Sequence, residues 1–225
     1  VFEEKVDKVR RRIGKNLALE SPPPHKDGDA KRVVVINVPD SSNTATLGYF
    51  SEAIKHNKDI KNEIGLIRSH YVGRTFIQPG QDKREMKVRT KFNIVKGVLA
   101  DRKVVMIDDS IVRGTTSRLL VDLLKKAKPK EIHLKITSPP IISPCYYGMD
   151  FPSKGELIAN QKHQNIEEIR DYLGVTSLSY LSEEKLLEGA PNTHPETGFC
   201  TACFTGNYPI QIEGLDEFSK SGLDD

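Results

Sequence analysis

Three observations predict an α/β fold, a parallel sheet flanked by helices. The stretch "RVVVINV" (32–38) is a continuous, largely β-branched run, the composition of a strand covered on both faces. Strand-like segments at "RVVVINV", "EIGLIR", "KVVMI" and "EIHLKI" are interleaved with helix-like ones, and parallel neighbours need a crossover that a helix supplies. At 225 residues the chain is also long enough to bury one sizeable core.

The elements follow in order. In "VFEEKVDKVRRRIGKNLALE", Val6, Val9, Ile13 and Leu17 recur at spacings of three and four, which predicts an amphipathic helix with a basic outer face. Its charged, uncapped start predicts that the chain is cut from something longer, with a frayed native terminus as the plainer alternative. "SPPPHKDGDAK" is a loop, because consecutive prolines neither donate backbone hydrogen bonds nor continue a helix. After the first strand, "PDSSN" offers a turn and a cap for a helix over 43–57. "EIGLIR" is expected as the second strand, "KVVMI" as the third and "EIHLKI" as the fourth, with the helix "TSRLLVDLLKKA" between the last two. From about 137 the pattern turns irregular: "SPPIISPCYYGMDFP" holds too many prolines for a central strand. "QNIEEIRDYLG" predicts a later helix, and the tail from 189 reads as a wrapped extension, giving a main domain over 1–188 and an extension over 189–225.

Composition narrows the functional classes. A net charge of +3 with interspersed signs gives no basic footprint for nucleic acid. No apolar run approaches the ~20 residues of a membrane span, and the charged opening carries no secretory signal. Three cysteines, an odd number, point to free or metal-bound thiols in a reducing compartment, with the cytoplasm as the expectation.

The chemistry is expected after the third strand, since ligands of parallel α/β sheets sit beyond the carboxyl ends of the strands. There "IDDSIVRGTTS" runs from buried strand to helix. "GTTS" (114–117) offers backbone N–H groups, hydroxyls and a helix dipole to a phosphate. Asp108 and Asp109 repel a phosphate and instead suit a cation or sugar hydroxyls, so a sugar phosphate with Mg²⁺ satisfies both halves. The plainer alternative is that the two acids end a strand and that Thr116 or Ser117 caps a helix.

The whole string "VVMIDDSIVRGTTS" resembles the phosphoribosyl pyrophosphate motif of type I phosphoribosyltransferases, and in this form the amidophosphoribosyltransferase family. "VPDSS" (38–42), "YVGRTFIQPGQ" (71–81), "SPPI" (138–141) and "CTACFTGNYP" (200–209) resemble that family too, so the likeness spans most of the chain. It implies the type I phosphoribosyltransferase fold with a flexible active-site loop. It also implies attack of ammonia on C1 of phosphoribosyl pyrophosphate to give 5-phosphoribosylamine and pyrophosphate, the first step of purine synthesis. The implied substrate contacts are Tyr71, Arg74, Lys91, Asp108, Asp109, Ser110, Arg113, Gly114, Thr115, Thr116 and Ser117. Arg74, Lys91, Asp108 and Asp109 carry the catalytic roles, and Ser41, Asp108 and Asp109 are associated with Mg²⁺, with Ser42 open in place of Ser41. Purine nucleotides as inhibitors and a homo-oligomeric parent are further implications.

The segment 70–93 has few apolar anchors and many Lys and Arg. It reads either as a solvated surface loop or as a lid whose cations close over pyrophosphate and exclude water. The resemblance favours the lid. Cys200 and Cys203 have CxxC spacing and Cys145 stands apart; alone they admit a zinc half-site, a redox pair or coincidence. The resemblance makes them three ligands of a [4Fe-4S] cluster whose fourth cysteine lies upstream of this chain, with His194 a weak substitute. The family's glutaminase nucleophile is an N-terminal cysteine, and this sequence starts with Val1, so the resemblance covers only the phosphoribosyltransferase half. Two rivals remain: a transferase acting on a nucleobase, for which "ITSPPIISP" offers no aromatic platform, and a non-catalytic regulator that binds phosphoribosyl pyrophosphate or nucleotides.

Overall fold

The computed structural model describes residues 4–25, 28, 31–69, 91–191 and 198–210. In chain order the elements are α1 (Val6–Glu20), β1 (Val33–Asn37), α2 (Asn43–His56), β2 (Ile60–Asn62), β3 (Leu66–Arg68), β4 (Phe92–Ile94), α3 (Lys96–Leu99), β5 (Lys103–Asp108), α4 (Thr115–Lys125), β6 (Glu131–Ile136), a 3-10 turn (Lys154–Glu156), α5 (Ile158–Gln161), α6 (Ile166–Leu173), β7 (Ser177–Tyr180), α7 (Glu183–Gly189) and α8 (Ala202–Thr205).

Five strands form one sheet in the order β2-β1-β5-β6-β7. Every pairing in it is parallel: Val34 lies opposite Val104, Val104 opposite Ile132, and His133 opposite Ser177. Because neighbours in register share a face, two cores follow from the alternation along each strand. Val34, Ile36, Val104, Met106, Ile132 and Leu134 pack under Leu120, Val121 and Leu124 of α4 and Ile169 and Leu173 of α6. Val33, Val35, Val105 and Ile107 pack under Leu17 of α1 and Tyr49 and Ala53 of α2. On that second face β6 contributes Glu131, His133 and Lys135 in place of apolar residues.

The expected "EIGLIR" strand is corrected. Leu66–Arg68 pairs antiparallel with Phe92–Ile94 as a separate ribbon, and the edge strand of the parallel sheet is the polar Ile60–Asn62. A three-residue strand is too short for alternation to tell its partner or direction. The apolar stripe expected on α1 is only half used: Gly14, Leu17 and Ala18 are buried while Val6 is 45% exposed. Helix-to-helix contact explains the shift. A Cβ on Gly14 would lie 1.9 Å from the Ala45 carbonyl oxygen, and one on Gly48 2.1 Å from that of Arg11, so α1 and α2 touch backbone to backbone.

Candidate active site

Three strand ends converge at the carboxyl edge of the sheet. Val38 N donates to Ile107 O (2.9 Å) and Thr137 N to Asp108 O (3.0 Å), so the segments after β1, β5 and β6 leave side by side. Asp108 ends β5 and is buried; its Oδ1 accepts the Asp109 N–H at 2.8 Å. Burial, and then the charge of Asp109, push the Asp108 carboxyl up to about 8. Asp109 is half-buried and accepts the Ser110 hydroxyl at 3.3 Å, which makes it the more accessible acid of the pair.

The turn that follows has the form of an anion cradle. Gly114 is buried with φ +74°, a left-handed conformation that favours glycine, and α4 begins at the next residue. The first α4 hydrogen bond is Arg118 N to Gly114 O (2.9 Å), so the N–H groups of Thr115, Thr116 and Ser117 precede the helical ladder. The Thr115 and Thr116 side chains are exposed while Ser117 is buried. A Cβ on Gly114 would meet Ile158 Cδ1 at 3.2 Å and Tyr172 Cε1 at 3.3 Å, so the turn is backed by α5 and α6. Arg113 pairs with Glu156 (Nε to Oε1, 3.0 Å), and the Arg118 guanidinium lies 4.9 Å from the Tyr172 ring centre. Glu156, Ile158 and Tyr172 are neighbours that no sequence motif announced; the only hint is a buried glycine turn that requires something beneath it.

The segment 38–42 borders the same edge. Ser42 stands at the N-cap of α2 and is fully buried; its hydroxyl donates to Val38 O and makes no side-chain cap bond to the helix. Ser41 is partly exposed and its carbonyl accepts Arg10 Nη1 at 2.9 Å, while Asp40 pairs with Arg68 at 2.9 Å. Tyr71, Arg74, His194 and most of the expected lid lie outside the described residues. Lys91 lies just inside, half-buried, its carbonyl accepting the Ser69 N–H at 2.7 Å.

Two metals were expected, and the site chemistry treats them differently. The described residues include no group of three or more acidic, His or Cys side chains able to hold a metal ion alone. Around Asp108, Asp109 and Ser41 the donors are oxygens, which suit a hard cation such as Mg²⁺ provided that substrate oxygens complete its shell. The cysteines gather near one another: burial, then Cys145 and to a lesser degree Cys200, push the Cys203 thiol up. Cys200 is exposed, Cys145 and Cys203 are half-buried, and as arranged the three do not fit a four-thiolate cluster.

No family model matches the chain. Curated relatives do. Over 94% of its length the chain is 49% identical to an amidophosphoribosyltransferase 2 (chloroplastic) of Arabidopsis thaliana, covering 35% of that protein. Over 92% it is 48% identical to the amidophosphoribosyltransferase of Bacillus subtilis (strain 168), covering 41%. Among solved structures, the glutamine phosphoribosylpyrophosphate amidotransferase of Bacillus subtilis complexed with ADP and GMP superposes with a TM-score of 0.77 at 46% identity, over 92% of this chain and 43% of that one. A structure described as the allosteric regulatory enzyme of purine biosynthesis gives 0.76 at 46% identity, over 92% and 42%. The chain thus spans 35–43% of the length of these relatives.

Proposed function

The chain is a homologue of the phosphoribosyltransferase part of amidophosphoribosyltransferases and has their type I phosphoribosyltransferase fold, and from that premise we propose that it transfers ammonia to phosphoribosyl pyrophosphate. The observation that carries the reading is the left-handed Gly114 turn, which opens the N-terminus of α4 six residues after the Asp108 end of a central strand. Free helix N–H groups and paired acids at a switch between strand and helix match the two halves of a sugar phosphate.

In this reading the N–H groups of residues 113–117, with the Thr115 and Thr116 hydroxyls, hold the 5′-phosphate. Asp109, the accessible acid, accepts from ribose hydroxyls, and Asp108 fixes the backbone of Asp109 from behind. As pyrophosphate departs, positive charge grows on the sugar ring, and a carboxylate positioned before the reaction stabilises it without reorganisation. Lys91, with Arg74 and Tyr71 from the basic segment, holds the leaving pyrophosphate. Asp108, Asp109 and Ser41, with substrate oxygens, would hold a Mg²⁺, which would supply charge neutralisation for the leaving group. Little covalent work falls to the protein, so positioning carries the rate.

Further proposals follow the relatives. Purine nucleotides act as inhibitors, in keeping with the ADP and GMP in the Bacillus subtilis complex. The resemblance would make Cys145, Cys200 and Cys203 three ligands of a [4Fe-4S] cluster, but as arranged the three do not fit one, and the proposed reaction routes no step through it. The intact parent is a homo-oligomer, and residues 189–225 form an extension to the domain at 1–188. No described helix is long and apolar enough to cross a membrane, and the Arabidopsis thaliana relative is named chloroplastic, so the cytoplasmic location expected from the sequence stands as a proposal.

The deciding experiment is pyrophosphate release from phosphoribosyl pyrophosphate and Mg²⁺ with ammonium salt or glutamine at mildly alkaline pH. Ammonia should support turnover that rises as ammonium loses its proton. Glutamine serves as the comparison, and it is turnover with ammonia that carries the reading. Absence of ammonia-dependent release together with tight phosphoribosyl pyrophosphate binding would favour the regulator instead.

A further inference from the structure

Behind the Gly114 turn lies a segment to which the proposed chemistry gives no task. It begins at Ser153, whose side chain and backbone form a reciprocal cap with Glu156, and continues through α5. This segment grips the turn at three points. Ile158 N donates to Val112 O at 2.9 Å, Ile158 Cδ1 lies 3.2 Å from where a Gly114 Cβ would be, and Glu156 pairs with Arg113. Asn160 also ties the segment from the far side: its Nδ2 donates to Lys154 O and to Ile142 O, both at 2.8 Å. Ile142 is in turn fixed by the tail, because Ile142 N and Ser143 N both donate to Cys203 O, at 2.9 and 3.1 Å. Tyr208 adds a hydrogen bond from its hydroxyl to Pro144 O at 2.7 Å.

We infer that Asn160 is a positioning residue for the 5′-phosphate: its carboxamide ties the 153–161 segment to the tail-anchored strip 142–144, and that segment holds the Val112–Gly114 turn in its phosphate-binding form. The inference rests on the proposed phosphate site. A flexible turn would have to be ordered by the ligand at the expense of affinity, whereas a braced one is ready before the ligand arrives. The contacts form one continuous path from Cys203 to Val112 with Asn160 as the shared link. Such a path conveys coupling only if both ends respond, so the test probes both.

The probe is ribose 5-phosphate, which carries the 5′-phosphate and no pyrophosphate, titrated by calorimetry into the unaltered chain, Asn160→Asp and Asn160→Ser. Asp keeps the shape and removes both donors; Ser reaches one acceptor at most. Both variants should bind about tenfold more weakly while melting within a few degrees of the unaltered chain. In hydrogen–deuterium exchange of the unaltered chain, ribose 5-phosphate should slow uptake at 153–161 as well as at 110–118. Unchanged affinity in a folded variant, or protection limited to 110–118, would overturn the role of Asn160 and leave the phosphate site standing. If the unaltered chain fails to bind ribose 5-phosphate, the phosphate-site reading falls and this inference with it.

Discussion

Replacing Lys135 by methionine should stabilise this chain at neutral pH and lose that advantage in alkali. Lys135 lies on the α1-facing side of β6 with 4% of its surface exposed, and the described structure gives its amine one hydrogen bond, to the Ser21 hydroxyl. Burial lowers the amine from 10.5 to about 8, which corresponds to a penalty of about 3 kcal/mol for holding it charged in the folded chain. The sign follows from proton counting. Below pH 8 the amine is protonated whether the chain is folded or not, and the penalty is complete. Between pH 8 and 10.5 the folded chain has shed a proton that the unfolded chain retains, so stability rises with pH until the penalty is gone. Methionine fills a similar volume without charge but loses the hydrogen bond to Ser21, a cost of about 1 kcal/mol. The net gain at pH 7 is about 2 kcal/mol, or about 4–8 °C in Tm for a chain of this size, and it reverses by pH 10.5. Urea unfolding of both proteins at pH 7, 9 and 10.5 measures the difference, in which titrations common to both cancel. A difference that stays constant across that range would show that the amine reaches water or an anion, and the reasoning would be wrong.

Three further outcomes are expected. Gly14→Ala should destabilise by about 3 kcal/mol or more, because its Cβ would overlap the Ala45 carbonyl and force α1 off α2; a melting temperature unchanged by this substitution would contradict the backbone contact. Gly114→Ala should fold with a smaller loss, about 1–2 kcal/mol for the left-handed φ, yet bind ribose 5-phosphate at least tenfold more weakly, read by calorimetry beside urea unfolding. Asp109→Asn should leave stability nearly unchanged, since the side chain is half-exposed, while weakening Mg²⁺-dependent binding of phosphoribosyl pyrophosphate; equal binding by variant and parent would reduce the acid to a strand ending.

What was legible in the sequence was whatever required a particular residue type. β1 and β5 are covered on both faces, so nearly every position had to be apolar, and the runs "VVVI" and "VVMI" show it. Gly114 stands where a left-handed turn feeds a helix, and the acids before it break the apolar run abruptly. By contrast β2 and β7, "IKN" and "SLSY", are short edge strands with a solvated side, and any sequence of middling polarity serves there. The 153–161 segment escaped notice because its work is done by backbone groups and one amide. The α1 face misled for a different reason: its closest contact is made by the absence of a side chain, which no count of apolar residues records.

The β3–β4 ribbon has a bearing on how such chains diversify. Leu66 lies opposite Ile94, Arg68 opposite Phe92, and Ser69 N reaches Lys91 O, so the chain leaves the ribbon at residue 69 and re-enters beside its own exit. Whatever lies between begins and ends at one hydrogen bond. Lengthening it stretches no strand and shifts no register, and each doubling of the insert costs only about 0.6 kcal/mol in closure entropy. The ribbon is therefore a graft point: a segment inserted there can be exchanged as a cassette while the sheet that folds the chain inherits none of the change.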